Sequence, residues 1–160
     1  MKITNIHKRI IAQPKDDISN IFNTLSSSDD QLWPKEKWPP MIFKNGFTIG
    51  SIGGHGPIKY SATKYIPGNF IEFTFMEPEE FKGVHRFEII ETEKFSTELK
   101  HTIEMTLSTK GLLIWYIAIK WLHDALIEDC LDKAENKFLT TKKETKWNFW
   151  VIFLRNRLRK

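Results

Sequence analysis

The segment from Gly111 to Phe138 constrains this chain more than any other, because it reads as one long amphipathic helix following a run of short β-prone stretches. At about 100° per residue, Leu112, Trp115, Tyr116, Ile119, Leu126, Cys130 and Ala134 share a face, and His123 lies along its centre. Lys120, Asp124, Glu128 and Asp132 fall elsewhere. A helix of this kind after a series of strands predicts a sheet wrapped around it, with a cavity between the two.

Upstream, residues 3–13 read as a first strand ended by Pro14, and Asp16 or Asp17 can cap a short helix carrying Ile18, Ile21, Phe22 and Leu25. Ser26 to Pro40 is polar and proline-punctuated, which predicts a second short helical turn and a loop. A meander follows. Its strands are expected at 47–51, 58–66, 70–76, 85–91 and 95–109, with Pro67-Gly68 as a type II turn. The linkers are too short for parallel crossovers, so the sheet is antiparallel. Alternation puts Ile71, Phe73 and Phe75 on one face, as it does His85, Phe87 and Ile89, and then Leu99, His101, Ile103, Met105 and Leu107. Glu72, Glu88, Lys100 and Glu104 point the other way.

With 160 residues the chain suits one domain able to bury a core without a metal or disulfide. The 12 Phe and 6 Trp can fill that core or line an apolar pocket. The single cysteine, Cys130, excludes an intramolecular disulfide, and its place on the helical stripe predicts a buried thiol. Residues 140–160 hold seven of the 24 Lys and Arg but one of the 20 Asp and Glu. The body is therefore slightly acidic with a basic appendage, which argues against a nucleic-acid partner. The N-terminus lacks the apolar core of a signal peptide, so a cytoplasmic protein is expected.

The order of strand, two small helices, five-stranded meander and long helix is that of a helix-grip α+β fold, with a curved antiparallel sheet around the last helix. The stretches GGHGPIKYSATKYIPGNFIEFTF, FKGVHRFEII and WLHDALIEDCLDKA together resemble the START/polyketide-cyclase (SRPBCC) superfamily, which also holds the birch-pollen-allergen-like proteins. The resemblance spans most of residues 1–139. It implies a deep, largely apolar cavity and a lipid-, sterol- or polyketide-like partner, and some members are cyclases or hydrolases. It implies no shared catalytic set. By position, Phe73, Phe75, His85, Phe87, His101, Trp115, Ile119 and His123 become the candidate ligand-binding residues.

Among these, His85, His101 and His123 come from two neighbouring strands and the facing helix, so they can form a polar patch orienting a ligand in a greasy cavity. The same three are the candidate proton shuttles of a cyclase or hydrolase acting on a hydrophobic carbonyl substrate. Asp124, Glu128, Glu88 and Glu104 are expected to face away from them. None of the three has the local spacing of a metal motif, and neither a metal nor a cofactor is assigned. Gly53-Gly54-His55-Gly56-Pro57 lacks the phosphate-loop patterns and reads as a wide hairpin turn, with His55 facing solvent or rimming the cavity. Trp33 and Trp38 are expected either to pack beneath their loop or to form an aromatic lid.

The helix-grip domain is taken as 1–140, and 141–160 as a basic amphipathic extension. Trp147, Trp150, Val151, Leu154 and Leu158 recur at helical spacing, with Phe149, Ile152 and Phe153 widening the sector. Such a stripe either inserts beside anionic lipid headgroups, making the protein peripheral to a membrane, or packs on the domain or in a homodimer.

Overall fold

The computed structural model describes residues 1–44 and 46–158. Seven strands form one antiparallel sheet among the described residues: β1 (Lys2–Ile11), β2 (Ile42–Phe43), β3 (Ile52–His55), β4 (Ile58–Ile66), β5 (Phe70–Glu77), β6 (Phe81–Glu93) and β7 (Ser96–Leu107). Their order is β1-β7-β6-β5-β4-β3-β2. Only β1 leaves sequence order, crossing to pair with β7 from Lys2↔Thr106 to Ile11↔Thr97. Helix α1 (Lys15–Phe22) follows β1, and a long helix follows β7 and lies along the sheet's concave face. This is the helix-grip fold.

Alternation placed the inward rows correctly. Ile71, Phe73, His85, Phe87, Ile89, Leu99, His101, Ile103, Met105 and Leu107 are all buried. The opposite rows carry ion pairs, including Arg86 to Glu104 at 2.7 Å. Glu72 departs from the expected wet face: it is buried and paired with Lys64 at 2.9 Å. The Pro67-Gly68 turn forms as expected, with Gly68 at φ 68° and Asn69 N–H donating to the carbonyl of Ile66.

Three expectations change. Only one helix forms between β1 and β2, because Asp30 ties the following segment into turns by accepting from the backbone N–H of Ser26, Leu32 and Trp33. The third strand lies at Ile52–His55 rather than 47–51, and the hairpin turn shrinks to Gly56-Pro57, with Gly56 at φ 52°. A side chain at Gly54 would strike the Ile58 carbonyl, so its glycines belong to close strand pairing.

The long helix is the third case. It runs as α2 (Thr109–Ile114), a π-helical turn (Trp115–Ile119) and α3 (Lys120–Glu135), and stops short of Phe138. Ser108 caps it by accepting from Gly111 N–H. The wider π turn takes up one extra residue, so Trp115 occupies the inward position that an unbroken α-helix would give Tyr116. Trp115 is 2% exposed, whereas Tyr116 is 50% exposed and off the expected stripe.

Finally, α4 (Phe149–Leu158) packs against α3. Val151 is buried, Trp147 Nε1 donates to Asp129 at 3.0 Å, and Arg155 lies over the Trp38 and Trp147 rings. Much of the apolar stripe of the extension therefore faces protein. Arg159 and Lys160, the last two basic residues of the extension, lie outside the described residues. No helix among the described residues is long and apolar enough to cross a membrane.

Candidate functional site

Between the sheet and α3 lies a cavity of about 190 Å³. Its walls come from β5, β6, β7, the turn between β3 and β4 and the loop that carries Trp33 and Trp38, closed by the π turn, α3 and the end of α4, and they are apolar except for imidazoles. Of the residues named from sequence, Phe75, His85, His101, Trp115, Ile119 and His123 line it. Phe73 and Phe87 do not. They are fully buried behind the wall, Phe73 stacked on His85 with ring centroids 4.9 Å apart and Phe87 edge-on to His101 at 4.5 Å. Those contacts fix the histidine rings.

The three histidines do converge. In the sheet, His85 pairs with Ile103 and His101 with Phe87, so the two histidines are diagonal neighbours on one face. His85 Nδ1 and His101 Nε2 stand 3.3 Å apart, sharing one hydrogen bond. His123, from α3, brings its ring centroid to 5.0 Å from that of His101. His85 Nε2, His101 Nδ1 and both nitrogens of His123 are buried with no hydrogen-bond partner among the described residues. Burial lowers the pKa of all three, well below the ordinary histidine value for His85 and His101, so those two rings are neutral near pH 7.

Two further histidines bear on the site. His55 lines the cavity rather than facing solvent, with Nδ1 3.0 Å from the Tyr60 hydroxyl, and burial drives its pKa down to about 3. His7 sits on β1 opposite His101, and the sequence reasoning passed over it. Its Nδ1 meets Glu128 at 2.7 Å and its Nε2 meets Asp124 at 3.0 Å. Burial opposes charge on this ring, but the two carboxylates outweigh it and raise the pKa to about 9. His7 is thus an imidazolium donating from both nitrogens.

Asp124 and Glu128 do leave the apolar stripe, yet they turn toward β1 rather than toward solvent. The inward row of β1 is Asn5, His7 and Arg9, and it meets Asp124, Glu128, Asp132 and Glu135 along α3. Asp124 Oδ1 also comes within 3.8 Å of His123 Nδ1, closer than expected from sequence though beyond a hydrogen bond. Imidazole and amide groups around Asp124, together with Lys120, outweigh its burial and depress its pKa. His7, His123 and Asp124 have ligand-type atoms within 4.8 Å of one another. His7 is held there as a cation and Lys120 salt-bridges Asp124 at 2.5 Å, so the cluster works as an ion-pair clasp between β1 and α3.

Trp33 and Trp38 pack beneath their loop and also contribute cavity wall. Trp33 Nε1 donates to the Pro39 carbonyl, and Trp38 Nε1 donates to Asp129 at 2.7 Å. Cys130 is buried as expected, and burial pushes its thiol pKa up.

This architecture is shared with solved structures of low sequence identity. Norcoclaurine synthase from Thalictrum flavum, in complex with dopamine and hydroxybenzaldehyde, superposes with a TM-score of 0.65 at 15% identity, over 88% of this chain and 90% of that one. A protein from Thermobifida fusca gives 0.66 at 12% identity, over 89% and 99%. A conserved protein of unknown function from Enterococcus faecalis gives 0.62 at 11% identity, over 99% and 85%. No family model matches the sequence, and neither does any curated protein. At these identities the likeness establishes the fold, which is the one implied by the superfamily resemblance.

Proposed function

We propose that the protein binds a lipophilic small molecule in this cavity, oriented by a hydroxyl or carbonyl group on His85, His101 and His123. One observation carries the reading: four buried imidazole nitrogens on the wall of an otherwise apolar cavity lack partners among the described residues. Each such group costs about 1–3 kcal/mol when left unpaired, and a ligand that pairs with it recovers part of that cost. The neutral rings of His85 and His101 suit a neutral hydroxyl or carbonyl better than a carboxylate, which would need a compensating charge in a low-dielectric site. Phe75, Trp115 and Ile119 supply apolar contact. The fold neighbour that holds dopamine and hydroxybenzaldehyde supports a small oxygen-bearing ligand.

Titration of a hydroxyl-bearing lipophile against its parent hydrocarbon, followed by tryptophan fluorescence, to which the wall residues Trp33, Trp38 and Trp115 contribute, tests this. His85→Phe should weaken the hydroxylated ligand by about tenfold, one buried hydrogen bond, and leave the hydrocarbon nearly unchanged. Equal loss for both would return His85 to the core.

A second reading, an enzyme acting on a hydrophobic carbonyl substrate, draws on the imidazole series itself. Asp124 stands beside His123, His123 beside His101, and His101 bonds to His85. Only the last of these links is a hydrogen bond; a carbonyl substrate that pairs with the open nitrogens of His123 and His101 would complete the series, and a proton can then pass to and from its α-carbon. Deuterium exchange at that carbon, abolished by His123→Gln in a protein that still binds the ligand, is its test.

A further inference from the structure

The geometry points to a composite aromatic face, made by the π turn and α4 together, as a docking surface for an anionic membrane. Leu113, Ile117 and Trp121 recur at four-residue spacing across the π turn and are exposed, as is Tyr116. Beside them α4 is fastened by Trp150 Nε1, which donates to the Ile117 carbonyl at 2.8 Å. Trp150 stacks on Phe153 with centroids 5.2 Å apart, and Phe149 next to it is 79% exposed. This surface differs from the tail stripe inferred from sequence. Val151 and Trp147 of that stripe face protein, while Phe149 and Phe153 and the outer side of the π turn remain uncovered.

Charge identifies the occupant. Residues 105–123 and 145–160, which supply the whole face, contain no Asp or Glu. Of their basic residues, Lys110 and Lys120 pair with Glu80 and Asp124 and Arg155 is buried over Trp38 and Trp147, while Lys146 and Arg157 are exposed. Arg157 lies over the Phe153 ring, and Lys120, paired with Asp124, over the Trp121 ring, so basic side chains edge the aromatic patch and Arg157 is the one that faces out beside it. Trp, Tyr and Phe edged by Lys and Arg match a bilayer interface, where rings sit at headgroup depth and each basic residue gains about 1 kcal/mol from anionic lipid. A second copy of the chain would instead bring like charges together.

The face also adjoins the cavity. Leu158, at the end of α4, lines the cavity and is 71% exposed, so it stands at the mouth, and Ile119 of the π turn is wall. A lipophile leaving the bilayer would enter without crossing water. That last step rests on the proposed ligand binding; the docking does not.

Co-sedimentation with phosphatidylcholine vesicles, with and without phosphatidylserine, tests the inference on the full chain. The wild type should pellet with the anionic vesicles, weakly with the neutral ones, and less as salt rises. The double variant Ile117→Glu, Phe153→Glu should bind at least about tenfold more weakly while keeping its thermal midpoint. Undiminished binding by that variant, or no binding by the wild type, would overturn the proposal. So would a wild-type dimer that the variant splits, without vesicle binding, because the face would then join two copies. Vesicle binding by a chain whose cavity takes no ligand would support docking and contradict the ligand reading.

Discussion

At the scale of single residues, the chain's five histidines divide into four that burial drives toward the neutral form and one that two carboxylates hold charged. His7→Phe would leave Asp124 and Glu128 without their shared cation, and about 3 kcal/mol of stability should disappear in urea unfolding at neutral pH. Trp38→Phe tests a different buried bond. Asp129 accepts from Trp38, Trp147 and Lys37, and losing the shortest of these should cost about 1–3 kcal/mol. His85 and His101 were legible because each sat in an otherwise apolar alternating row, and His123 because it lay on the apolar stripe of a helix. His7 was not. Its row on β1 is polar inward while Ile6 and Ile10 point out, and only the tertiary contact with the acidic side of α3 gives that inversion a reason.

Elements show the same division. Turn chemistry at Pro67-Gly68 and period-two alternation in β5, β6 and β7 carried their placement from sequence alone. The π turn left no local signature, because a one-residue change of register within an apolar run alters no composition, and so the sequence pattern sets Tyr116 inward beside Leu112 and Trp115, whereas only the latter two face the core. Burial of the tail was similarly undetermined, since an amphipathic stripe looks the same against lipid or protein. Truncation after Thr140 should lower the thermal midpoint by several degrees, about 2–4 kcal/mol, because it uncovers Trp38 and the buried Asp129 carboxylate. An unchanged midpoint would mean that α4 packs too loosely to matter.

For the whole molecule, the histidines set a pH optimum of stability. The unfolded chain gains protons below about pH 6.5 that the buried rings refuse, so stability falls on acidification through that value. Above it the folded state keeps the His7 proton that the unfolded chain sheds, so stability declines again until about pH 9. Denaturant midpoints across that range should peak near about pH 6.5, and His7→Phe should flatten the alkaline side only. The central claim, an occupied cavity with a polar anchor, is tested most directly by native mass spectrometry of freshly purified protein, followed by denaturing release. The account predicts a one-to-one complex with a lipophilic molecule bearing a hydroxyl or carbonyl, displaced when Leu122→Trp fills the cavity. A chain that is empty as purified, and that also fails to take up apolar probes while folded and monodisperse, would contradict it.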